Sequence, residues 1–227
     1  MFETLDVDLA WKSGDLVAFL PIVVSLVFFI IYWFVAQSPI IKKRFYDKYD
    51  FDQAAFKHIF FTKIFGFVAM GIFPVVICLF FLEIPFAKYG LTFISETTMF
   101  SLAWIVGLSV LVIPLVHFSA RQAKNLVNYP QVRSKVWTKK MVYMNALGWF
   151  LYLFGYEFLF RGVLLIPLVD PEFGIGIWPA IAVNIALLGS FKYLGFIASN
   201  INALAAGVGL PDAVLNVPNI ALPLGIS

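Results

Sequence analysis

The sequence predicts an all-α polytopic transmembrane helical bundle. Hydrophobic residues make up 62% of the 227 residues, only 13% are charged, and the mean hydropathy is +0.92. Soluble domains average about half apolar and about a quarter charged residues. The one cysteine, Cys78, lies inside an apolar run, so no intramolecular disulfide is expected. We therefore expect a single transmembrane domain over residues 1–227.

Apolar segments divide the chain into predicted spans, each of which needs about 20 apolar residues. The clearest segment, residues 16–36, contains no charge. The other predicted spans are residues 59–82, 99–118, 141–169 and 176–191. The sequence thus predicts five spans, with room for one or more after residue 192. Residues 197–227 form an irregular tail without an aromatic residue, compatible with a Gly/Pro-broken span or a re-entrant segment.

Basic residues are concentrated in two of the predicted loops. Residues 37–57 hold five Lys/Arg and residues 119–140 hold six, whereas the opposite side has only Lys12 and Lys88. The positive-inside rule then places both basic loops in the cytoplasm and the N-terminus outside. We expect an integral protein of a bacterial cytoplasmic (inner) membrane. The basic loops indicate topology and contact with lipid headgroups, and nucleic acid is not an expected partner.

Two further polar features lie at the start of the second span. Lys63 is close enough to the membrane interface for its ammonium to snorkel towards water. The long segment of residues 37–58 has room for a short amphipathic helix lying on the membrane surface, at "DFDQAAFKHIFF", residues 50–61.

The fourth span contains two charges, Glu157 and Arg161, within the stretch "YEFLFRG" of residues 156–162. The two are four residues apart and therefore share one face of a helix. A charge at this depth costs at least about 2.5–3.5 kcal/mol on insertion scales, and an ionisable residue there is by default a candidate functional residue. The alternative is an intrahelical ion pair that holds neighbouring helices together.

The string "EFLFRG" resembles the first motif of the CPBP family, the CAAX-protease and bacteriocin-processing membrane proteins, which reads Glu-Glu-x-x-x-Arg. The resemblance covers roughly residues 140–192, with Glu157 and Arg161 at motif positions. It implies a polytopic helical fold and cleavage of a peptide bond within the membrane by glutamate-activated water. In the family, His and Asn side chains stabilise the oxyanion. Glu157 and Arg161 are therefore the candidate catalytic residues.

Several positions depart from the family pattern. Tyr156 stands where the family has the glutamate usually credited with activating water, and tyrosine, which ionises near about pH 10, is a poor general base at neutral pH. Leu188 and Lys192 stand at the two positions of the family's Phe-x-x-x-His motif. The third motif, a His-x-x-x-Asn-like element, is absent. Lys192 could instead pair with Glu157.

Three functions follow from these residues. The first is a non-catalytic CPBP-like homologue, acting as a scaffold or accessory subunit with other membrane-protein subunits. The second is an active glutamate-dependent intramembrane endopeptidase, acting on a peptide or protein, whose histidine motifs are missing from or misread in this sequence. The third is a small transporter or channel component with a Glu157/Lys192 polar relay. No cofactor or metal is expected, because His58 and His117 have no nearby carboxylate cluster.

Overall fold

The computed structural model describes residues 10–82, 84–92, 94–122, 131–171 and 174–189, and within these ranges it is helical without strands. Six helices occupy them: α1 (Ser13–Ala36), α2 (Pro39–Lys48), α3 (Phe51–Leu82), α4 (Ser95–Ala120), α5 (Lys139–Val169) and α6 (Ile177–Gly189). A short 3₁₀ turn, Phe86–Tyr89, lies between α3 and α4.

Four helices, α1, α3, α4 and α5, are long and apolar enough to cross a membrane. The described part of the chain is all-helical, and these four helices indicate an integral membrane protein, as the composition predicts. The predicted count of five spans is not confirmed: α6, at the place of the fifth predicted span, is a shorter apolar helix. Residues 190–227, including Lys192 and the tail at 197–227, lie outside the described residues.

Polar contacts identify which helix ends lie together. The backbone N–H of Lys135 donates to Oδ1 of Asp52 at 2.5 Å, which joins the start of α3 to the segment that leads into α5. On the opposite side, Lys88 and Asp170 approach to 3.7 Å after α3 and α5 have ended. We call the end that contains α2 and the starts of α3 and α5 the basic end.

A short helix, α2, occupies the connection between α1 and α3. Its start follows from Ser38, whose Oγ accepts from the Ile41 N–H at 3.4 Å, and from Pro39 in the first turn. The prediction of a surface helix over residues 50–61 is wrong. Those residues open α3, which continues without interruption from Phe51 into the span, and the surface helix lies earlier in the chain.

Two stretches of π-helix interrupt the long helices: Val68–Ile72 in α3 and Phe158–Leu165 in α5. Each ends two residues before a proline, Pro74 or Pro167. Proline lacks an N–H, and its ring clashes with the carbonyl four residues earlier. In both helices that carbonyl lies in the π stretch, where the hydrogen-bond register is shifted. A glycine is among the five residues that precede each of these two prolines. The prolines inside α1 and α4 have no such glycine, and the helix around them is regular α-helix.

Helices α3 and α5 cross in close contact at glycines. A Cβ added to Gly155 would lie 3.0 Å from Cα and 3.2 Å from the carbonyl oxygen of Phe67. One added to Gly71 would lie 3.1 Å from Cα of Gly155. Helix α1 completes this core through Phe29 and Tyr32. Helix α4, by contrast, has no buried residue.

Candidate functional site

The two charges of the fourth predicted span form an ion pair on α5. Nε of Arg161 donates to Oε2 of Glu157 at 2.7 Å, as their spacing predicts. Glu157 is the last residue before the π stretch, and Arg161 lies within it. Both side chains point away from the core: 78% of the Arg161 side chain and 53% of the Glu157 side chain are exposed.

This ion pair lies well inside the length of α5. At about 1.5 Å per residue, Glu157 is roughly 27 Å from Lys139 and roughly 18 Å from Val169. In water, an exposed ion pair contributes about 0–1 kcal/mol. In hydrocarbon, neither charge finds other hydrogen-bonding partners. The ion pair therefore forms a polar patch on a helix that is long and apolar enough to cross a membrane, and this patch can accept and donate further hydrogen bonds.

The π stretch buries its apolar side chains while it exposes Arg161. Phe158, Leu159 and Phe160 are buried. The motif glycine has a steric role: a Cβ on Gly162 would lie 2.8 Å from the carbonyl oxygen of Tyr89. The turn after α3 thus packs directly against the π stretch, and only glycine permits this approach.

Tyr156 is a packing residue in this arrangement. Its ring centroid lies 4.8 Å from that of Phe160 and 6.4 Å from that of Tyr152, against the core of α1, α3 and α5. The tyrosine therefore stands beside Glu157 in sequence while its side chain packs on the core. Leu188 of α6 packs against the same core. The predicted pairing of Glu157 with Lys192 stays a prediction, because Lys192 lies outside the described part of the chain.

Asn184 connects α6 to the π stretch. Its Nδ2 donates to the carbonyl oxygen of Phe160 at 3.3 Å. An amide at this position in an apolar helix is typical of interhelical hydrogen bonding. The contact holds α6 beside the stretch that carries Arg161.

A further charge within the long apolar helices, Lys63 of α3, forms a cluster with aromatic rings that could not be predicted from the sequence. The residue is only 5% exposed, so the prediction that it snorkels to water is wrong. Its Nζ lies 3.5 Å from the ring centroid of Trp149 and 4.3 Å from that of Tyr152. Helix α5 approaches α3 closely at Gly148, where an added Cβ would lie 3.2 Å from Cδ2 of Phe60 and 3.4 Å from Cβ of Lys63.

Aromatic rings are the observed neighbours of this ammonium, and no carboxylate in the described ranges forms an ion pair with it. A desolvated ammonium over an aromatic face gains about 2 kcal/mol from the ring quadrupole. The ring of Tyr32 continues the row, 5.5 Å from that of Tyr152. Lys63 thereby links α3 to α5 through its charge as well as its stem.

A double-mutant cycle between Lys63 and Trp149 tests this link. We expect Trp149→Leu to destabilise the protein by about 2 kcal/mol more when Lys63 is present than in a Lys63→Met background. The measurement is the free energy of unfolding of the purified chain in mixed micelles, followed by far-UV circular dichroism. Phe150→Leu, on the exposed side of α5, is the control and should not couple to Lys63. Coupling below about 0.5 kcal/mol, the usual additivity error, would contradict the link.

The described histidines lie away from Glu157. His58 is near the start of α3, and His117 is in the last turn of α4. Within the residues that the structure describes, no group of three or more His, Cys, Asp or Glu is arranged to hold a metal ion. No protein-family model, curated protein or solved structure matches this chain.

Proposed function

We propose that the chain is a non-catalytic CPBP-like homologue that acts as a scaffold or accessory subunit of a membrane complex. The observation that carries this proposal is the exposed ion pair, Glu157 and Arg161, inside the length of α5. Lipid tails cannot satisfy its remaining hydrogen-bonding capacity. Polar groups on another membrane-protein subunit can, because side-chain hydrogen bonds hold helices together within membranes.

The environment of the motif supports a non-catalytic role. The family mechanism uses a carboxylate to activate water, and Tyr156 stands where the family has the glutamate credited with that step. Its side chain packs against Phe160. A tyrosine in apolar packing has neither the basicity nor the access to water that a general base needs.

We further propose that the basic end faces the cytoplasm of a bacterial inner membrane, with the N-terminus outside. The concentration of Lys and Arg at this end supports that topology. The test is labelling of a cysteine placed at position 133, 135 or 139. Background labelling is low because Cys78 is buried. Labelling by an impermeant reagent from the periplasmic side would contradict the topology.

The test of the scaffold role is purification of the full chain from native membranes in a mild detergent. We expect a stoichiometric membrane-protein partner with the wild type and at least a tenfold loss of that partner with Glu157→Gln/Arg161→Gln. The matched control, Lys88→Gln/Asp170→Asn, neutralises the ion pair beyond the ends of α3 and α5 and should retain the partner.

Three outcomes would contradict this proposal. Peptide hydrolysis by the purified chain that is abolished by Glu157→Gln would identify an active intramembrane endopeptidase. Ion flux in liposomes that is abolished by the same substitution would identify a transporter or channel component. Equal retention of the partner by both double variants would show that the ion pair on α5 does not form the contact.

A further inference from the structure

Helix α2 presents an uncompensated positive surface at the basic end of the bundle. Four of its ten residues are cationic and one, Asp47, is acidic. The cations are Lys42, Lys43, Arg44 and Lys48. No carboxylate in the described part of the chain forms an ion pair with any of them. Their charge is therefore available to an external anion.

Aromatic contacts fix α2 against the start of α3. The ring centroid of Phe45 lies 5.8 Å from that of His58 and 5.6 Å from that of Phe61. Tyr46 contacts Phe51 in the same way, at 5.9 Å. Because one side of α2 is held by these rings, its cations are presented in a fixed orientation at the level where α1 ends and α3 begins.

A buried nitrogen lies beside this positive surface. His58 is 8% exposed, and its Nε2 has no hydrogen-bond partner among the described residues. Lys42 precedes Phe45 by three residues and therefore shares a face of α2 with it, and the Phe45 ring contacts the imidazole of His58. An imidazole N–H and an ammonium that approach one another without an intervening carboxylate are a donor pair for an anionic oxygen.

We propose that Lys42 and His58, flanked by Lys43 and Arg44, bind the phosphate of an anionic phospholipid. These four residues form a corner where α1 ends and α3 begins. This position at the end of two apolar helices favours a lipid over a soluble phosphate. Ile40 on the same helix is 61% exposed and supplies an apolar contact for the lipid. Basic segments next to a transmembrane helix bind anionic lipids in this way.

The test is thermal unfolding of the purified full chain in neutral detergent with added phosphatidylglycerol, phosphatidylcholine or inorganic phosphate. We expect a saturable rise in Tm with phosphatidylglycerol alone. Lys42→Gln/Lys43→Gln should weaken that binding about 25-fold, at about fivefold per cation. The matched control, Lys139→Gln/Lys140→Gln, removes the same charge from the start of α5 and leaves the proposed phosphate ligands in place. It should change binding by less than about threefold, because exposed charges that do not contact the phosphate are screened by salt.

A second variant distinguishes binding at this specific corner from general electrostatic attraction of the lipid to a basic surface. His58→Phe keeps an aromatic ring against Phe45 but removes the ring nitrogens, and it should weaken binding about tenfold, as expected for one hydrogen bond to a charged group. Unchanged binding in His58→Phe, or equal loss in both lysine pairs, would overturn the site. An equal rise in Tm with inorganic phosphate would overturn the assignment to a phospholipid.

Discussion

Glu157→Ala is expected to destabilise the purified protein by about 3 kcal/mol, the insertion cost of an unpaired arginine at membrane depth. Arg161→Ala should cost less, about 1–2 kcal/mol, because the carboxylate that remains can take a proton whereas a guanidinium stays charged. Removal of both side chains should be nearly neutral, since it leaves no unpaired charge. The measurement is the free energy of unfolding in mixed micelles.

The control for this series is the other ion pair, Lys88 and Asp170, which lies beyond the ends of α3 and α5. Lys88→Ala should cost less than about 1 kcal/mol, because the lysine side chain is 56% exposed and exposed ion pairs contribute little. If Glu157→Ala and Arg161→Ala also cost this little, the charges of α5 face water. That result would favour a hydrated cavity and contradict a contact with lipid or a partner subunit.

The four long apolar helices and the ion pair on α5 could be predicted because both depend on local sequence, whereas the predicted fifth span is not confirmed. An apolar segment of span length determines a helix nearly independently of its neighbours. Glu157 and Arg161 are brought together by helix geometry alone. Helix α2 also has a local signal, because Ser38 followed by Pro39 is typical of a helix start, whereas residues 50–61 belong to α3.

The environment of Lys63 could not be predicted, because it depends on which residues of α5 face α3. Sequence position alone puts this lysine near an interface, where snorkelling is the ordinary outcome. The actual location depends on Gly148 and on two aromatic residues, Trp149 and Tyr152, that lie one turn apart. The π stretches could not be predicted either, because a proline within a helix does not by itself produce one. The prolines in α1 and α4 lie in regular α-helix.

Gly155→Leu is expected to lower the free energy of unfolding by about 3 kcal/mol, at the upper end of the usual range for overpacking. The new side chain would meet Cα and the carbonyl oxygen of Phe67. These are backbone atoms of α3, so they cannot rotate away, and the two helices would have to separate. Separation would also remove Lys63 from the rings of Trp149 and Tyr152. The measurement is denaturation of the purified chain in mixed micelles.

A matched substitution and a suppressor test the cause. Gly107→Leu in α4 has open space around the new side chain and gains helix propensity of up to about 1 kcal/mol, so it should not destabilise. Phe67→Ala should fail to rescue Gly155→Leu, because the substitution removes the ring but leaves the backbone contact in place. Rescue by Phe67→Ala would mean that the ring sets the separation of α3 and α5. Gly148 and Gly155 are seven residues apart and therefore lie on one helix face. In that case, this spacing would not determine how closely the two helices approach.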